Sequence, residues 1–260
     1  MKVRLAVLAL ALTAAPAAAQ GFDHSHAAWT ALLQRHVVVL DGARASRVRY
    51  TELVADRAAL EAYVSSLAAV TRSQFEGWPR PERLAFLINA YNAHMVQKVL
   101  TRYPDLRSVW DFGRFFGNPF KDAFFTLLGQ RTSLDGIEQG MLRKPGAYDE
   151  PRVHFALNCA SVGCPMLREE AYVGARLEAQ LEDQARRFLS DRSRNRYDPA
   201  SGRLEVSKIF DWYEDDWPPD YLARHAALLA DDPAARARIA AGEFTLVFLD
   251  YDWSLNDAMK

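Results

Sequence analysis

Apolar residues recur at helical spacing through Trp29, Leu32, Leu33, Val37 and Leu40, which predicts a helix over 26–39. Asp41-Gly42 signals a turn, and 47–53 reads as a short extended piece. A second helix is predicted over 55–70, with Leu60, Tyr63, Val64 and Leu67 on one face, and Gly77-Trp78-Pro79-Arg80-Pro81 breaks it off. The clearest helix runs over 82–103, carrying Leu84, Leu87, Ile88, Tyr91, Met95, Val99 and Leu100 up to the stop at Pro104. Residues 110–125 are aromatic and punctuated by glycine, so Phe112, Phe115, Phe116, Phe120, Phe124 and Phe125 are expected to cover a core from a loop. Ser133 is placed to cap a short helix reaching Leu142. Then follow a short buried strand over 153–157, a turn over 161–165, a helix over 175–189 and a strand over 203–206. An aromatic segment over 209–217, the Pro218-Pro219 break, a helix or two and a strand over 244–249 close the chain. Helices dominate and the strands come late. The pattern predicts an α+β fold: a mostly helical single domain with a small antiparallel sheet. Its helical N-terminal part spans about 22–76, and the motif-bearing part about 82–256.

The first residues follow a different rule. Met1-Lys2-Val3-Arg4 is basic, 5–12 is apolar, and Ala17-Ala18-Ala19 precedes Gln20 as an Ala-x-Ala exit. This predicts a cleaved signal peptide over 1–19 and a periplasmic or secreted protein over 20–260. The apolar run is too short for a spanning helix, which needs about 20 residues, and no later stretch predicts a membrane span.

Composition adds limits. Half of the residues are hydrophobic and 12% aromatic, enough for a sizeable core in the roughly 240 residues that follow the leader. With 32 basic and 33 acidic residues the net charge is -1, so bulk electrostatics predicts no nucleic-acid partner.

The chemistry concentrates in Arg152-Val153-His154-Phe155-Ala156-Leu157-Asn158-Cys159-Ala160-Ser161-Val162-Gly163-Cys164-Pro165. His154 and Cys159 invite a thiol nucleophile with its base. On an extended chain, however, five steps at about 3.3 Å put them roughly 16 Å apart, and on opposite faces. A direct pair therefore needs a sharp turn that Phe155-Ala156-Leu157 does not advertise. Export makes a Cys159–Cys164 disulfide the leading expectation for these two cysteines. A reactive Cys159 thiol is the second reading. A metal site recruiting His154, His94 or His36 is the third, and no metal or other cofactor is expected. His154 otherwise reads as a general base, or as a core histidine with satisfied nitrogens. In the strongest helix, Asn89 and Asn92 share a face, and amides in an apolar helix need partners. They either tie the helix to a neighbouring loop or line a pocket together with Tyr91. Glu138 and Arg143 are candidates for a charge pair at that pocket.

Together Ala85-Phe86-Leu87-Ile88-Asn89-Ala90-Tyr91-Asn92-Ala93, Ser133-Leu134-Asp135-Gly136-Ile137-Glu138, the His154 motif, Ser207-Lys208-Ile209-Phe210-Asp211-Trp212-Tyr213 and Tyr251-Asp252-Trp253-Ser254-Leu255-Asn256 resemble the bacterial and plant family known as domain of unknown function 547. The leader makes the chain an exported bacterial member of it. Gln139 departs from the pattern, where a His is expected after the Glu. The resemblance implies a fold unit and a motif set, but no reaction. The layout is also similar to transglutaminase-like and papain-like cysteine enzymes, in which a Cys heads the helix and the His sits on a strand. Here Asn89 or Asn92 occupies that region of the helix, so a shared layout implies a binding or non-thiol role. Two functions follow as expectations. One is an exported protein with a polar pocket, built from Asn89, Asn92, Glu138 and His154, that binds, hydrolyses or transfers a small or peptide-like amide or ester. The other is a non-catalytic periplasmic binding or scaffold protein with a structural disulfide.

Overall fold

The computed structural model describes residues 21–113 and 117–259. The predicted leader, Phe115 and Phe116 lie outside the described residues. The architecture is α+β, as the periodicity predicts. Its centre is the helix Arg80–Leu100, whose Pro81 supplies the preset φ of a first turn and whose Glu82 faces the positive end of the dipole. Sixteen of its residues are buried, on nearly every face. It is therefore a core helix rather than a surface one. Phe86, Leu87 and Ile88 are almost wholly shielded, and each such side chain contributes about 1.5–3 kcal/mol by leaving water.

The N-terminal helix Arg57–Ala68 packs on this helix, and Ala27–His36 packs in turn on Arg57–Ala68. The chain after His36 turns sooner than its apolar spacing suggests. Val37–Leu40 is a strand paired antiparallel with Ala45–Val48, because Val37, Val38 and Val39 are β-branched and favour the pleat. A second antiparallel hairpin joins Phe125–Leu127 to Gln130–Thr132. The third sheet is mixed: Arg196–Asp198 pairs antiparallel with Arg203–Val206, which pairs in parallel with Thr245–Phe248.

Two apolar clusters result. The larger surrounds Arg80–Leu100; the smaller holds Phe155, Phe188, Leu204, Val206, Phe210, Leu229 and Ile239. The last residues sew the parts together. Single bridges link Asp257 to Val48, Ser254 to Ser108 and Leu255 to Ser161. The Tyr50 hydroxyl donates to Asn256 Oδ1 at 2.8 Å. No helix among the described residues is long and apolar enough to cross a membrane.

One expectation is corrected here. Residues 153–157 are not a strand. Val153–Ala156 forms a single helical turn, and Leu157 then returns to extended backbone. A short apolar run buried on all sides reads alike for either state, and here Pro151 and Arg152 start a turn through their carbonyls to the His154 and Phe155 amides. His154 therefore sits on a helical turn, not on the strand that a transglutaminase-like or papain-like layout would supply.

Candidate functional site

Ser133 caps its helix as predicted, its hydroxyl accepting the Gly136 amide at 3.0 Å. After Leu134–Ile137 the chain widens into a five-residue-ring turn over Glu138–Leu142, a geometry that often re-aims side chains at functional sites. Here it turns Glu138 inward. Glu138 is only 8% exposed, and its Oε1 accepts the Tyr213 hydroxyl at 2.6 Å. Burial pushes its carboxyl above the usual carboxylate range, opposed by the Tyr213 bond and by the nearby His154 and Arg143 charges.

Beside it, His154 Nε2 lies 2.7 Å from Asp216 Oδ2. Asp216 also takes Arg143 with two bonds, Nε to Oδ2 at 2.5 Å and Nη2 to Oδ1 at 3.0 Å. The His154 bond, and after it the Arg143 bond, hold the Asp216 carboxyl far below its ordinary range against the opposing effect of burial. The Tyr213 ring stacks on His154 at 3.9 Å between centroids, and the Arg143 guanidinium lies over the same ring at 4.8 Å. Because the ionised Asp216 carboxylate can accept hydrogen bonds but not donate them, it selects the imidazole tautomer with hydrogen on Nε2. Nδ1, which has no partner among the described residues, is then the basic nitrogen.

Glu138, His154 and Tyr213 open onto one cavity of about 450 Å³, lined also by Tyr91, Cys159 and Tyr251, while Arg143 and Asp216 face a separate pocket behind them. Its mouth is aromatic. Trp110 and Trp212 keep about two-fifths of their surface exposed, and both pack on Trp253, at 5.3 and 5.6 Å. Burial pushes the Tyr91, Tyr213 and Tyr251 hydroxyls up, so all three stay protonated donors. Apolar walls with a few convergent polar groups are the usual make-up of a small-molecule site.

Cys159 and Cys164 are joined in a disulfide, with Cα atoms 6.0 Å apart, and both line this cavity. His154 and Cys159 thus share one cleft, which an extended chain would forbid. The helical turn over Val153–Ala156, from which Leu157 returns to extended backbone, supplies the bend that the sequence does not advertise. A bridge closing so short a loop removes little unfolded-state entropy, about 2 kcal/mol. The loop has stronger ties of its own. Asn158, buried, accepts the Ala160 amide at 3.0 Å and donates to the Pro165 carbonyl at 2.8 Å. Gly163 N donates to Asp252 O, and Val162 N to Ser254 O, both at 2.8 Å.

The structure separates the predicted residues. Glu138, His154, Cys159, Cys164 and Tyr91 meet at the cleft. Asn89 and Asn92 do not line it. Asn89 is wholly buried, donating to the Tyr172 carbonyl at 2.7 Å and accepting the Tyr172 amide at 3.0 Å. Asn92 donates to Ala156 O at 2.9 Å and accepts Asn158 N at 2.8 Å. Both amides are spent on backbone, so the pocket reading gives way to the tie between helix and loop. Arg143 pairs with Asp216 rather than with Glu138, since the widened turn points Glu138 inward and leaves Arg143 at its end. Asp216, Tyr213 and Tyr251 are the residues that the sequence reading missed as site members. Tyr213 and Tyr251 stood in recognised motifs, while Asp216 was hidden in the acidic run Glu214-Asp215-Asp216, which resembles a solvated surface. No group of three or more His, Cys, Asp or Glu among the described residues is arranged to hold a metal ion.

A stability test follows from Glu138. A carboxyl whose folded pKa is raised contributes stability that is present below its unfolded value, about 4.3, and lost as pH rises through the folded value. Ionised Glu138 is therefore a cost at neutral pH. Glu138→Gln keeps an oxygen for the Tyr213 hydroxyl and should raise stability at pH 7 on the order of 1 kcal/mol, the scale of one relieved buried position. Urea unfolding at pH 7 and pH 4 checks this. The advantage should shrink at the lower pH, and an equal effect at both would refute the assignment.

Residues 75–189 match the model of a family described as a protein of unknown function, DUF547. The match supports the resemblance seen in the motifs, and covers Asn89, Glu138, His154 and the cysteine loop. Asp216 and the Tyr251–Trp253 wall lie beyond it. No curated protein and no solved structure matches the chain.

Proposed function

We propose that this chain works outside the cytoplasm as an acid–base protein, binding a small or peptide-like amide or ester and hydrolysing it or transferring its acyl group. The observation that carries the reading is the convergence of His154 and a separately buried Glu138 in one aromatic-mouthed cavity, with Asp216 bonded to His154 from outside the cavity lining. Their environments push the two carboxyls in opposite directions, Glu138 up and Asp216 down, which is how one site keeps an acid and a base apart. In this reading His154 Nδ1 takes a proton from water or an acceptor hydroxyl, and Asp216 steadies the imidazolium. Glu138, when protonated, donates to the leaving group. The hydroxyls of Tyr91 and Tyr251 are placed to donate to a carbonyl oxygen as it gains charge. Cys159 is not the nucleophile while its sulfur is bonded to Cys164. The export expectation supports the same picture, because a closed disulfide persists in oxidising compartments.

The test is a panel of chromogenic esters and aryl amides with apolar and aromatic acyl groups, followed by product release and by tryptophan fluorescence. Turnover is expected for part of the panel, with Glu138→Gln binding the same compounds but releasing product at least about 100-fold more slowly. Compounds that quench fluorescence without any turnover would make the protein a binding module instead. Turnover equal in wild type and Glu138→Gln would remove Glu138 from the chemistry.

A further inference from the structure

The cysteine pair carries a second activity that does not depend on the acid–base reading. We infer that Cys159–Cys164 is an exchange-active disulfide, oxidising a dithiol that enters the cleft. The observations are positional. Both sulfurs belong to residues that line the cavity, yet Cys159 is partly exposed while Cys164 is only 4% exposed. Cys159, the more exposed of the two, is therefore the partner that an incoming thiolate attacks in this proposal. Each sulfur also has donors that matter most once it is charged. The Cys159 amide donates to Cys164 Sγ at 2.7 Å. The Ser161 and Tyr251 hydroxyls lie 2.9 and 3.2 Å from Cys159 Sγ. A disulfide sulfur is a weak acceptor and a thiolate a strong one. These contacts consequently favour the reduced pair, the arrangement that makes a dithiol centre an oxidant. The surrounding loop does not need the bridge, being fixed by Asn158, Gly163 and Val162 through the hydrogen bonds described above.

The reaction balances within these groups. A substrate thiolate attacks Cys159 Sγ and forms a mixed disulfide. The bond to Cys164 breaks and its electron pair goes to Cys164 Sγ, where the Cys159 amide meets it. The second thiolate of the substrate attacks the substrate's own sulfur in the mixed disulfide and closes the substrate's disulfide. The electron pair passes to Cys159 Sγ beside Ser161 and Tyr251. Two electrons have moved from the dithiol to the protein, and the protons shed by the substrate are available to the two cysteines. A more oxidising disulfide regenerates the bridge by the reverse steps. The aromatic mouth favours a dithiol carried on an apolar or peptide chain.

The experiment equilibrates folded wild-type protein in graded mixtures of reduced and oxidised glutathione, followed by acid quench, alkylation and peptide mass mapping. The bridge is expected to open with near-ultraviolet circular dichroism unchanged, and Cys164→Ser to accumulate glutathione on Cys159. Tyr251→Phe combined with Ser161→Ala should make the pair about tenfold harder to reduce, from the loss of hydrogen bonds to a charged sulfur. A bridge that opens only in denaturant, or Cys159→Ser capturing glutathione on Cys164 as readily, overturns the inference. So does an unchanged equilibrium in the double variant.

Discussion

His154→Gln is expected to lower turnover of any ester or amide substrate by about 100- to 10,000-fold, the range ascribed to a positioned general base. Glutamine can still donate to Asp216, so the fold is expected to persist, but it offers no nitrogen that takes up a proton. Asp216→Asn should approach this loss by another route. An asparagine amide that donates to Nε2 would move the ring hydrogen to Nδ1, leaving no base toward the cleft, and the twofold bond from Arg143 would lose its ionic partner. The two changes act through one unit, so the double variant should lose little beyond His154→Gln alone. Asp216 also has a signature that a purely catalytic role would lack. Its folded pKa is depressed, so its contribution to stability is present above the unfolded value, about 3.9, and disappears as pH falls through the folded value. Acid unfolding of Asp216→Asn should therefore show a shallower low-pH limb than wild type. Independent, additive losses in the two single variants would argue that His154 and Asp216 do not act together.

What could be read from the sequence follows from what each signal measures. The helix Arg80–Leu100 was legible because 21 residues of periodic apolar character with proline at both ends admit few other structures. The Ser133 cap was legible because its chemistry is local. His154 stood out as a titratable residue in an apolar run, although its element did not: four buried residues satisfy a strand and a helical turn equally. The candidate site was half visible. Glu138, His154 and the cysteines could be named, yet their common cleft depends on contacts such as Glu138 to Tyr213 and His154 to Asp216, across 75 and 62 residues. No periodicity encodes such separations. Asn89 and Asn92 show the converse. Their burial was inferred correctly, but an amide bonded to backbone and an amide waiting for a ligand leave the same trace in a sequence.

That ambiguity has a measurable answer at Asn92, where Asn92→Ala is expected to destabilise the protein by about 3–5 kcal/mol. Two buried backbone groups, the Ala156 carbonyl and the Asn158 amide, would lose their side-chain partner, at roughly 1–3 kcal/mol each, and a small void adds to the cost. Asn92→Asp should do no better, since a carboxylate could keep the Asn158 amide but would face the Ala156 carbonyl with like charge in a dry setting. Asn89→Ala offers a matched comparison, breaking an equivalent clamp on Tyr172 that lies outside the cavity lining. Both alanine variants should shift urea midpoints by similar amounts. Of the two asparagine clamps, Asn92 alone holds the segment between His154 and Cys159, so its loss and not that of Asn89 should loosen the cysteine loop. In a folded fraction of Asn92→Ala, alkylation after mild reduction should accelerate at Cys159 and stay near the wild-type rate in Asn89→Ala. An Asn92→Ala protein that kept its urea midpoint and lost only ligand binding would return the residue to the pocket and remove the clamp as the device that sets the cleft.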